Sequence, residues 1–152
     1  MKWTEKIPDT EIQEKVTDQM VQFAKRFGEH LAKDESGKTK PDGDKALTTS
    51  QLRKFFGEVK RQQMNGYDEA GFVMLKPKLA YAVGRVKVNS KKNRNKIEDF
   101  EFVMSDAIDK VVKCKDENKS KAFDNFISFF EAIVAYHKAF EADKDGSNNN
   151  LE

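Results

Sequence analysis

The sequence predicts an all-α fold, a single five-helix bundle over residues 1–143. Three observations predict it. Apolar residues recur every three or four positions in long segments, no segment alternates as a half-buried strand does, and clusters of Gly, Pro, Asp, Asn and Lys separate the periodic segments. A chain of 152 residues is long enough to bury a core. Hydrophobic residues make up only 38%, so the twelve Phe must supply much of it. Residues 144–152 are expected to form a disordered tail, with Leu151 and Glu152 reading as a cloning remnant.

Residues 1–9 form a lead-in whose Trp3 and Ile7 can pack back on the domain. Thr10 and Gln13 read as a capping box that opens a first helix over about 10–34. Its stripe is Ile12, Val16, Met20, Phe23, Phe27 and Leu31, with His30 beside it as a partly buried packing residue. Residues 34–47, DESGKTKPDGDKAL, form a mobile loop. Neither its Asp-Gly-Asp nor the run from Asp143 has the sixth-position Gly and twelfth-position Glu of a calcium loop.

Thr48 and Gln51 read as a second capping box before a helix over about 49–65. Leu52, Phe55, Phe56 and Val59 fall on one side of it. Arg53, Lys54, Lys60 and Arg61 fall on another, with Gly57 among them and Glu58 the only acid. A helical Gly costs about 1 kcal/mol against Ala. Close approach of a backbone or phosphate strand accounts for Gly57, and so does packing against a neighbouring helix. Gly66 supplies a stop.

After a short turn at 67–75, Pro77 is placed at the first position of a third helix that runs to about Val88. Leu79, Ala82, Val83 and Val86 face inward. Lys78, Tyr81 and Arg85 follow along the adjoining edge, a cation–aromatic–cation row suited to phosphate and a stacked base. Alternatively, Tyr81 is a boundary core residue flanked by snorkelling cations. Asn95 is read as the cap of a fourth helix over about 96–116, with Ile97, Phe100, Met104, Ala107, Ile108 and Val111 inward. Phe102 points away from that face, toward a second cluster or a subunit contact, and Cys114 is a small buried thiol. The fifth helix, about 120–143, is the most apolar, and its wide arc implies more than one neighbour. His137 lies within that arc as a core histidine. Phe129 and Tyr136 lie just outside it, a candidate protein–protein edge.

Charge is unevenly spread. The chain holds 28 basic and 26 acidic residues, a net of +2. Lys76 to Lys96 carries Lys76, Lys78, Arg85, Lys87, Lys91, Lys92, Arg94 and Lys96 with no acid. Residues 1–75 balance, and 97–152 carry a net −6. A concentrated basic tract attracts polyanions. A solvated basic helix end and loop is the plainer account. The loop 89–95, NSKKNRN, is too basic for a passive turn and is placed to close over a phosphate backbone.

Several function classes find no support. There is no P-loop, no Gly-rich dinucleotide turn, no His-Glu-x-x-His and no paired-Cys motif. One Cys cannot form an internal disulfide. No catalytic, cofactor or metal site is expected. The start shows no apolar signal region and no run approaches a membrane span, so a cytoplasmic protein is expected.

Three motifs together resemble one family: TSQLRKFFGEVKR at 49–61, LKPKLAYAVGR at 75–85, and FISFFEAIVAYHK at 126–138. They are similar to the small helical subunit of the type III-A CRISPR interference (Csm) complex. The match covers about two thirds of the chain, from Thr48 to Phe140, and leaves out the N-terminal helix, the 34–47 loop and the tail. The resemblance implies a non-catalytic, all-helical subunit present in several copies. These would stack beside the backbone and large subunits of that complex and line the channel where guide RNA and target RNA pair. It places the family's basic and aromatic positions on Arg53, Lys54, Lys60, Arg61, Lys78, Tyr81 and Arg85. Lys87, Lys91, Lys92 and Arg94 extend the set on charge alone. Contacts are expected to sugar and phosphate, since base pairing carries the sequence information. The alternative is a protein-interaction adaptor whose basic edge docks an acidic partner without touching RNA.

Overall fold

The widest apolar arc in the sequence becomes the axis of the molecule. In a computed structural model, residues 3–33, 49–89 and 94–143 are described, with the backbone alone at 86–89, 94–95 and 142–143. The described residues are helical with no strand: α1 (Asp9–Gln13), α2 (Asp18–Ala32), α3 (Thr49–Asn65), α4 (Glu69–Val73), α5 (Leu75–Asn89), α6 (Arg94–Val112) and α7 (Lys119–Asp143), with a 3-10 turn at Asp116–Asn118. The count therefore differs from five. The five-residue helices α1 and α4 accompany five helices of 15 or more residues.

Helix α7 packs against α1, α2, α3 and α6. Its Phe123, Phe126, Phe129 and Phe130 are all buried, and rings from four directions meet them. Phe23 of α2 lies 5.7 Å from Phe129, Phe56 of α3 lies 5.0 Å from Phe130, Phe72 of α4 lies 5.2 Å from Phe126, and Phe100 of α6 lies 5.6 Å from Phe130. Each buried ring removes a large apolar area from water, and tilted or edge-on pairs add to it. Helices α2 and α7 cross closely at Gly28, where a Cβ would stand 2.9 Å from the His137 backbone nitrogen.

The N-terminal stripe does not form one helix. Thr17 is extended and interrupts it, and its hydroxyl accepts from the Gln19 N–H to cap α2. The buried Glu11 carboxylate accepts from the Thr17 N–H at 2.9 Å and from its hydroxyl at 2.6 Å, fixing the break. Val16, inside the break, is 40% exposed rather than part of the stripe. Thr10 lies inside α1 and caps nothing; Pro8 precedes the helix with no side-chain cap.

Other boundaries also shift. Pro77 is the third residue of α5, still in the first turn, where its N–H would have had no helical acceptor. Helix α6 begins at Arg94, so Asn95 is not its cap, and it ends at Val112 instead of reaching 116. Gly66 does terminate α3, with φ +87°, a left-handed value that suits glycine. The loop expected at 34–47, the Thr48 cap and the tail at 144–152 lie outside the described residues.

Candidate nucleic-acid interface

Helical spacing divides α3 cleanly. Leu52 and Val59 are buried, and Phe55 and Phe56 pack beside them on the core. Positions 53, 54, 57, 60 and 61 then come round to the far side. Arg53, Lys54 and Arg61 are exposed there, and Lys60 is half-buried with its ammonium 5.9 Å from the centroid of the Phe56 ring. Nothing lies within 4 Å of the Cβ that Gly57 lacks, so no neighbouring helix among the described residues accounts for that glycine.

Helix α5 buries Leu75, Leu79 and Val83 and leaves Lys78, Tyr81 and Arg85 exposed. Tyr81 is 67% exposed, which removes the reading of it as a boundary core residue. The Arg85 guanidinium lies over its ring, 5.9 Å from the centroid.

The two helices meet at Glu58. Its carboxylate accepts from Arg61 at 2.6 Å on both oxygens, from Lys78 at 3.0 Å and from Gln62 at 3.3 Å. The Arg61 guanidinium, then Lys78, lower its pKa to about 2, so it is ionised at neutral pH. An open cavity of about 380 Å³ lies beside this junction, lined by Glu58, Arg61, Gln62, Gly66, Met74 and Lys78 among others. Two cations of the expected set are thus already held by one acid. The Glu58–Arg61 half was legible as an i, i+3 pair on a helix. The Lys78 half crosses between helices, and no local spacing marks it.

The basic tract is also less free than its count implies. Lys76 pairs with Asp109 at 2.7 Å. Lys96 is only 5% exposed, with its ammonium 3.3 Å from His30 Nδ1. The other ring nitrogen of His30 lies 2.6 Å from the buried Asp99 carboxylate, which also accepts from the Trp3 N–H at 3.2 Å. His30 is therefore part of a polar latch under the N-terminal segment, more than a packing residue. Lys91 and Lys92 lie outside the described residues. Lys87 and Arg94 are placed by backbone alone, near the end of α5 and at the start of α6.

The candidate protein–protein edge on α7 is corrected at Phe129. Phe129 is fully buried against Phe23, and Tyr136 is half-buried against the α2 crossing at Gly28. Phe129 belongs to the core because the arc of α7 is wider than the sequence pattern showed, while Tyr136 packs on its margin and stays partly exposed. Phe102 packs at the core margin with the Lys6 ammonium 5.6 Å from its ring centroid, and His137 is buried. Cys114 is half-buried and free; desolvation pushes its thiol pKa up. Among the described residues, no three His, Cys, Asp or Glu side chains converge as metal ligands, and no helix is long and apolar enough to cross a membrane.

No curated protein and no solved structure matches the chain significantly. The Csm2 Type III-A family matches it over residues 14–143, which takes in α2 to α7 and both cationic helices. With most of its length matched, the chain belongs to the Csm2 Type III-A family, the small subunits of the type III-A CRISPR Csm complex.

Proposed function

We propose that this chain is a non-catalytic small subunit that binds the sugar–phosphate backbone of guide or target RNA through the outer faces of α3 and α5. It stacks in several copies beside the backbone and large subunits of the complex, in the cytoplasm. The observation that carries this reading is the pairing of two outward cationic faces linked by one contact between helices. Arg53, Lys54, Lys60 and Arg61 occupy one outward face, which joins Lys78, Tyr81 and Arg85 through the Glu58 junction. Such a surface reads charge and shape and leaves sequence to base pairing.

Lys60→Ala and Arg85→Ala should each weaken binding to RNA strands of unrelated sequence to a similar extent and reduce the salt slope by about 1. Unchanged binding at low salt would remove these residues from the phosphate contacts.

A second reading is an adaptor that docks an acidic partner. The way Glu58 already gathers Arg61 and Lys78 favours it, since it shows this edge accepting a carboxylate. A gel shift of the isolated chain with single-stranded RNA separates the two. Loss of RNA binding with retained assembly supports the adaptor. Weak affinity in one copy is multiplied by neighbours once the copies are aligned.

A further inference from the structure

On a helix surface, the neighbours of residue i are i±3 and i±4, with Cβ atoms about 5–6 Å away. For Gly57 those four neighbours are Arg53, Lys54, Lys60 and Arg61, every one a cation. Glycine in a helix interior is unfavourable, so its presence calls for a reason. Backbone conformation is not the reason, since Gly66 is the described glycine with positive φ. Crowding is not the reason either, since the space above Gly57 is open. At Gly28, by contrast, a Cβ would meet the backbone of α7. The missing side chain at Gly57 serves nothing within the described part of the chain.

We propose that Gly57 is a seat for an RNA strand, a notch in α3 where one phosphodiester lies directly against the helix, ringed by Arg53, Lys54, Lys60 and Arg61. This rests on the RNA-binding reading above and adds to it where the strand crosses. A phosphodiester carries its charge on its own backbone. It reaches four cationic side chains rooted around one point only by approaching that point closely. Carboxylates of an acidic protein partner sit on flexible side chains and meet lysine and arginine tips without needing a notch, so the glycine favours a nucleic-acid strand. Met64, 86% exposed, lies two turns past Gly57 on the same face and offers an apolar surface for a sugar or base.

The test uses the full chain, a fluorescently labelled oligouridine RNA and anisotropy at low salt, for wild type, Gly57→Ala, Gly57→Leu and Lys60→Ala, with urea unfolding of each. Gly57→Ala should unfold at the same or higher urea concentration and bind RNA more weakly. Gly57→Leu should weaken binding by about tenfold, as a seat blocked by bulk would. Gly57→Leu should also lower the salt slope, because a displaced phosphodiester is no longer neutralised by the ring of cations, and Gly57→Ala should lower it less. If Gly57→Leu binds as wild type while Lys60→Ala binds more weakly, the seat is wrong and the RNA-binding face stands. If Lys60→Ala also binds as wild type, or if wild type does not bind the RNA, both readings fall.

Discussion

The Lys78 ammonium of α5 lies 3.0 Å from the Glu58 carboxylate of α3, and Arg61 grips the same carboxylate from within α3. This contact bridges the two helices that carry the cationic surface. It also places one negative charge at the junction. The surface is therefore both fixed in place and partly neutralised by a single residue.

Glu58→Gln removes that charge and releases both cations. RNA affinity should rise modestly, since two cations no longer share an acid, and stability should fall by less than about 1 kcal/mol because both cations are solvent-exposed. The pH dependence has a definite sign. The folded-state pKa of Glu58 is lowered from 4.5 to about 2, so its stabilising contribution is complete above pH 4.5. It is lost as pH falls from 4.5 toward 2. Urea unfolding at pH 7, 4 and 2 should show the gap between wild type and Glu58→Gln narrowing toward zero. A constant gap would mean that Glu58 is not the titrating group.

The sequence made the helical class and most of the core legible because burial in a helix follows a short period. Met20, Phe23, Phe27, Leu31, Leu52, Val59, Leu79, Phe100 and Phe126 all lie where periodicity puts them. The break at Thr17 was hidden because the stripe continues across it in register. The deciding interaction, Glu11 with the Thr17 N–H and hydroxyl, is a local side-chain bond that apolar spacing does not report. At the candidate interface, the outward faces of α3 and α5 followed from spacing. Which cations are already paired did not: Lys76 with Asp109, Lys78 with Glu58 and Lys96 near His30 are contacts between separate helices. A charge count along the chain cannot see them.

Gly28 and Gly57 make a matched pair of controls. Gly28→Ala drives a Cβ to within 2.9 Å of the His137 backbone nitrogen and 3.2 Å of the Ile133 carbonyl oxygen. Backbone cannot yield as a side-chain tip does, so α2 must move off α7, at a cost of about 1–3 kcal/mol. Urea unfolding should show this loss with an unchanged m-value. If Gly28→Ala is as stable as wild type, the crossing is looser than described.

Tyr67 offers a substitution expected to help. Its hydroxyl is buried without a hydrogen-bond partner among the described residues, and burial raises its pKa. The ring itself packs usefully, 5.2 Å from Phe123 and 5.7 Å from Phe72. Tyr67→Phe keeps that packing and removes the unsatisfied donor. Thermal unfolding should show no loss, and a gain of up to about 1 kcal/mol. A marked loss would reveal a partner for the hydroxyl.

Asp99 tests whether the N-terminal segment is held by a polar latch or only by apolar contact. The residue is 1% exposed, and its carboxylate accepts from the Trp3 backbone and approaches His30 Nε2. The latch positions Trp3, whose ring lies 5.0 Å from Phe27 and 5.0 Å from His30. Trp3 is the only tryptophan, so its emission reports on the latch directly. Asp99→Ala should cost about 1–3 kcal/mol, as leaving the Trp3 N–H and His30 without their buried acceptor does, and should shift Trp3 emission to the red. Asp99→Asn retains an acceptor for the Trp3 N–H and should lie between the two. If Asp99→Ala loses stability without a red shift, the carboxylate serves the α2–α6 contact alone, and Trp3 with Ile7 holds the segment by apolar burial.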